Sequence, residues 1–88
     1  MELKEQFEEA VAKSKTLKAK PDNDVLLKLY SLYKQGTEGD APEKGDYAMF
    51  DFVGKAKHDA WLKYSGMKNE EAMNQYIAFV ELLIQNDQ

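Results

Sequence analysis

The sequence predicts an all-α fold: a small four-helix bundle whose helices run up-down-down-up. Three observations predict it. Apolar residues recur at helical spacing in four stretches, and nowhere is there a convincing strand. Glycine, proline and aspartate gather between those stretches. One connection, "GTEGDAPEKGDYAM", is unusually long for so small a chain. It has the reach to cross the bundle and leave helices 2 and 3 parallel.

Helix 1 is predicted from about Leu3 to about Leu17, with Leu3, Phe7, Ala10, Val11 and Ser14 on one face. Its first half holds Glu2, Glu5, Glu8 and Glu9 and its end holds lysines, as the macrodipole favours. Pro21 sits near the start of helix 2, with Asp22 and Asp24 in the first turn. Helix 2 is predicted from about Asp22 to Gln35, with Gly36 as its stop. Helix 3 runs from about Asp51 to Tyr64 and stops at Gly66. Asn69 is expected to cap helix 4, with Glu70 and Glu71 behind it. Its apolar face is Met73, Tyr76, Ile77, Val80, Leu83 and Ile84, and it reaches about Gln85.

Eighty-eight residues make one domain, 1–88, without room for a core and a deep catalytic cleft side by side. No cysteine is present, so no disulfide framework or thiolate zinc site is expected. No apolar run approaches the roughly 20 residues of a membrane span. The opening "MELKEQFEEA" lacks the apolar core of a signal peptide, so a cytosolic protein is expected. The net charge of −4 argues against a nucleic-acid partner. The lysines are clustered all the same, at Lys13, Lys15, Lys18 and Lys20 and again at Lys55 and Lys57. Such clusters suit a small, highly charged anion, or are ordinary solvated surface.

Helix 2 is amphipathic over too wide an arc. On a wheel, Val25, Leu29 and Leu32 cluster on one side, and Leu26 and Tyr33 lie next to them. Tyr30, Lys34 and Leu27 carry the band to about 220°, where a core stripe needs little over 100°. The excess predicts a second surface. A phenol offers a flat apolar face and a hydroxyl, and lysine a point charge suited to phosphate. Two tyrosines and a lysine on adjacent turns can stack a base and hold a phosphate beside it. Helix 2 alone leaves open that Tyr30 and Tyr33 are core aromatics with wet hydroxyls. In "DFVGKAKHDAW", Lys57 is placed near the helix-3 start, where a helix N-terminus already favours anions. Gly54 permits close backbone approach there. The spacing is not that of a P-loop.

"LYSLYKQGTEGD", "FDFVGKAKHDAW" and "EEAMNQYIAFV" together resemble the acyl-CoA-binding protein family, from about Phe7 to Leu83. The resemblance implies a four-helix carrier of long-chain fatty acyl-CoA that does no chemistry and needs no cofactor. It implies that Tyr30, Tyr33 and Lys34 meet the nucleotide end of coenzyme A. Lys57 would meet the 3′-phosphate, Tyr76 the adenine-ribose portion, and Lys15 would line the same site. Leu27 and its apolar neighbours would line a groove for the acyl chain. Three positions depart from the family's usual pattern. Val53 stands where a lysine is frequent, His58 where tryptophan is frequent, and Lys68 where serine is frequent. The first removes a charge, the second alters aromatic packing near the ligand, and the third touches only helix capping.

Other classes fit less well. The main alternative is a helical protein–protein interaction module that presents Tyr30 and Tyr33 to a partner helix. An enzyme is not expected, since His58 is the one histidine and the carboxylates sit at helix starts without an aligned partner. No metal site is expected. His58 and Asp59 do not face each other on a helix, and Asp40 and Asp46 lack calcium-loop spacing. Trp61 is expected as a core anchor against helices 1 and 4. The chain is expected to be a monomer.

Overall fold

The structure, a computed structural model, describes residues 2–87; Met1 and Gln88, the two ends of the predicted domain, lie outside the described residues. Four helices follow one another: α1 Leu3–Ser14, α2 Asn23–Glu38, α3 Phe52–Leu62 and α4 Asn69–Asn86. No strand occurs among the described residues.

Side-chain neighbours fix the directions. Phe7 meets Tyr76, and farther along both helices Ala10 lies near Val80, so α1 and α4 run parallel. Lys28 reaches Phe79 while Gly36 lies under Met73, so α2 opposes α4. Leu26 faces Val53 and Lys34 reaches Trp61, so α3 runs parallel to α2. The order is up-down-down-up, and the long connection between α2 and α3 makes the crossing that parallel helices require.

The core belongs to three helices. Phe7 and Ala10 of α1, Leu29 and Leu32 of α2, and Tyr76 and Val80 of α4 form one buried cluster. Helix α3 packs on α2 alone. Trp61 is therefore not an anchor against α1 and α4. It is buried beside the end of α2, and its indole N–H donates to Gly39 O at 2.8 Å.

Local chemistry sets the boundaries. Asp22 caps α2, accepting from Val25 N–H at 3.0 Å. Helix α2 does not stop at Gly36. That glycine is buried where α4 crosses, and a Cβ there would stand 3.2 Å from Met73 Cγ, so close approach is its use. The helix ends at Gly39, whose φ of 85° no other residue adopts cheaply. Asn69 does not cap α4 either. Lys68 holds that position, and the Asn69 amide donates to Gln35 O and Gly36 O at 3.0 and 3.1 Å. It ties the start of α4 to the second half of α2. Helix α1 stops at Ser14, earlier than its apolar spacing predicts.

Gln35 is fully buried and organises that same junction. Its Nε2 donates to Asp40 Oδ1 at 2.9 Å and to Met67 O at 2.8 Å. Asp40 also accepts from Gly66 N–H at 2.8 Å. One carboxylate thus joins α2, the start of the crossing loop and the α3–α4 link. These bonds hold its carboxyl below the usual aspartate range, the Gly66 N–H contributing most.

Candidate functional site

Of the seven residues singled out in the sequence, Lys15, Tyr30, Tyr33 and Tyr76 line one hollow beside α2, Leu27 and Lys57 line another, and Lys34 reaches the Tyr30 ring without lining either. Helices α1 and α2 both pack closely on α4, while between themselves they meet only through side chains such as Phe7 and Tyr33. The gap between them is a hollow of about 410 Å³ whose walls include Lys15, Pro21, Leu26, Tyr30 and Tyr33. Tyr76 forms its floor. It is buried, and its hydroxyl donates to Ser14 Oγ at 3.4 Å. Burial pushes the Tyr76 phenol above its ordinary pKa, so it stays neutral and apolar-facing. Phe7 stacks on Tyr33 at 5.8 Å and meets Tyr76 edge-on at 5.1 Å, which fixes the orientation of both tyrosines.

A second, more apolar hollow of about 330 Å³ runs between the first turns of α2 and α3. Leu27 lines it with Leu26, Phe52, Val53, Ala56 and Lys57. Leu26 belongs to both hollows and forms the ridge between them.

Two ammonium groups from different helices meet at the Tyr30 ring. Lys57 Nζ lies 5.3 Å from the centre of the Tyr30 ring and Lys34 Nζ 6.0 Å from it. Both are at cation–π distance. Lys34 also lies over Trp61 at 5.2 Å and pairs with Glu38 one turn on. That carboxylate holds the Lys34 ammonium above its usual pKa, so the lysine is charged at any ordinary pH. Lys57 lines the apolar hollow as well, so its charge stands where the two hollows join.

Lys57 does not act through the α3 N-terminus. It lies in the second turn, and the Asp51 side chain already accepts from Gly54 N–H at 2.9 Å. The charge available at this spot is the side chain's own. His58 faces elsewhere, buried with its ring 5.9 Å from Tyr47 of the crossing loop, and lines neither hollow. Val53, which stands where a charge was expected, lines the apolar hollow.

Sequence reasoning missed Leu26 as the ridge and Phe52 as a wall. Leu26 was detectable, since it precedes Tyr30 by four residues and Tyr33 by seven and so shares their face. Phe52 carries no such signal, because its partner is on another helix. A larger hollow of about 690 Å³ lies beyond Phe7 and Tyr33. Lys4 is the one cation on its walls, with Glu8 beside it, so it offers an anion little. No group of three or more histidines, aspartates or glutamates among the described residues can hold a metal ion. No helix there is long and apolar enough to cross a membrane.

Comparison with known proteins identifies the family. The family model described as "Acyl CoA binding protein" matches residues 4–80. A Caenorhabditis elegans protein named acyl-CoA-binding protein homolog 1 is 50% identical over 78 residues, covering 89% of this chain and 90% of that one. A Manduca sexta acyl-CoA-binding protein homolog is 45% identical over 84 residues, covering 96% and 93%. The crystal structure of Oryza sativa acyl-CoA-binding protein 2 superposes with a TM-score of 0.87 at 40% identity, covering 97% of this chain and 93% of the other.

Proposed function

Because this chain belongs to the acyl-CoA-binding protein family, we propose that it binds long-chain fatty acyl-CoA one to one and carries it without chemical change. On this reading residues 1–88 act as one ligand-binding domain, monomeric and cytosolic. The observation that carries it is the pair of lysines over the Tyr30 ring, beside an apolar hollow that one of them also lines. Coenzyme A is an anion with an adenine and a 3′-phosphate, so it requires stacking faces and cations together. Tyr30, Tyr33 and Tyr76 supply the faces, and Lys15, Lys34 and Lys57 the charge from three helices. The acyl chain then lies along Leu27 between α2 and α3.

Each buried methylene is worth roughly 0.8 kcal/mol, so about sixteen carbons contribute on the order of 10 kcal/mol before ordering costs. Nanomolar binding needs about 12 kcal/mol. The chain therefore gives tightness and the nucleotide end gives recognition. Calorimetric titration with palmitoyl-CoA, free coenzyme A and free palmitate tests the reading. Tight one-to-one binding of the thioester with both fragments far weaker supports it. Absence of heat with the thioester, or equal binding of palmitate alone, overturns it and returns Tyr30 and Tyr33 to a partner-binding helix face.

A further inference from the structure

The segment between α1 and α2 has little of its own to hold it in place. Residues 15–22, "KTLKAKPD", carry three lysines and form no helix. Leu17 and Pro21 are half-buried and the rest is exposed. Thr16 bonds back to Lys13 O, and Asp22 forward to Val25 N–H, so both serve the neighbouring helix ends. Among the described residues, the hydrogen bonds that tie this segment to a distant part of the chain run to one side chain. Lys18 N–H donates to Asp87 Oδ2 at 2.6 Å, and Ala19 N–H to Asp87 Oδ1 at 3.4 Å. Backbone N–H groups bonded to a carboxylate are charge-assisted and among the stronger hydrogen bonds.

Asp87 is itself fixed. It is the residue that closes α4, and its own N–H donates to Ile84 O at 3.2 Å, so the last turn of the helix carries its carboxylate. Farther back on the same helix, the Tyr76 hydroxyl donates to Ser14 Oγ at 3.4 Å. Helix α4 therefore grips the chain on both sides of Lys15, at Ser14 before it and at Lys18 and Ala19 after it. Ser14, Lys15 and Pro21 are all on the wall of the hollow above Tyr76. A lysine side chain is a flexible four-carbon stem. What the fold can fix is the backbone from which that stem starts, and here α4 fixes it.

We propose that Asp87 is a positioning residue for the ligand: its carboxylate tethers residues 18 and 19 so that Lys15 stands at the hollow taken by the nucleotide end. The role rests on the carrier reading. Asp87 touches no ligand on this account and acts through Lys15. Its charge makes the role separable from simple electrostatics. A carboxylate beside a lysine-rich segment repels an anionic ligand, so by charge alone its removal would tighten binding. As a tether, its removal frees the segment, and the ligand must then order Lys15 at its own entropic expense. The two effects have opposite signs.

The test is a double-mutant cycle read by palmitoyl-CoA titration, with amide hydrogen exchange on the unliganded proteins. Asp87→Ala is expected to weaken binding about fivefold, the worth of one hydrogen bond. Asp87 stands outside the buried cluster, so the variant should fold with little change in melting temperature. In a Lys15→Ala background the same change is expected to cost nothing further, because the lysine it positions is gone. Losses that simply add would mark a structural role independent of Lys15 and overturn the proposal. Unchanged or tighter binding by Asp87→Ala also overturns it. Without ligand, the Lys18 and Ala19 amides should exchange faster in Asp87→Ala while Tyr76 to Val80 stay as protected as in the parent. Unaltered exchange at 18 and 19 overturns the tether itself. A parent that does not bind palmitoyl-CoA overturns the carrier reading and the positioning role together, and the exchange data still read the tether on their own.

Discussion

Helix α2 carries two seams of opposite character. Its second half is crossed by α4 at Gly36, where the Gln35 and Asn69 amides donate hydrogen bonds across the junction and Leu32 is fully buried. Its first half lies beside α3, where Leu26 and Leu27 face Phe52 and Val53 across an unfilled hollow. The same helix thus holds the fold together at one end and leaves apolar surface uncovered at the other. The difference teaches where a small bundle can place a binding site. A chain of this size cannot leave its core open, but it can pack one helix on a single neighbour and use the gap.

The largest test of that division is Leu32→Ala. Emptying this fully buried position should cost about 2–5 kcal/mol, read as a lowered urea midpoint. The division predicts that the variant, held where it is still folded, binds palmitoyl-CoA nearly as well as the parent. A loss of affinity as large as the loss of stability would mean that the two seams are not separate.

Lys57→Ala and Tyr30→Ala should do the reverse. Each should weaken palmitoyl-CoA about tenfold or more, the worth of a contact to a charged group, with little change in the melting temperature. The same factor should appear for short and long acyl chains. If only long chains suffered, these residues would belong to the acyl hollow and not to the nucleotide end.

Asn69→Ala sharpens the first seam. It removes both donations to α2 and should cost about 1–2 kcal/mol in chemical denaturation. An N-cap serine at position 68 would not restore that loss, because the Asn69 amide ties α4 to α2 and does not cap its own helix.

The smallest effect concerns pH. The Asp40 carboxyl is held below its unfolded value near 4 by Gly66 N–H and the Gln35 amide. A depressed carboxyl stabilises the fold above that unfolded value, and the contribution is lost as pH falls through the lower folded one. Thermal melts of Asp40→Asn should therefore fall less steeply than those of the parent as pH drops below about 4. Parallel curves would show that other carboxylates carry the acid sensitivity. Tyr76 acts at the other extreme. Its raised pKa gives stability that is present below about pH 10 and fades as pH rises through the higher folded value.

The residues themselves determined the four helices, the crossing loop and the face that carries Tyr30, Tyr33 and Lys34. Helical periodicity is local, so a wheel shows which side chains share a side and that α2 has more apolar arc than one core requires. What a wheel cannot contain is the partner across the gap. The packing of α3 on α2 alone moved Trp61 away from the core and brought Lys57 to the same ring as Lys34. The α2–α4 crossing made Gly36 a point of close approach instead of a stop, and Asn69 a tether instead of a cap. The exposure of Met49, Phe50, Phe52 and Val53 was likewise decided by packing, since the same four residues beneath another helix would have been core. Local spacing specifies which surfaces a chain offers; the crossing of helices far apart in sequence decides which are buried and which stay open.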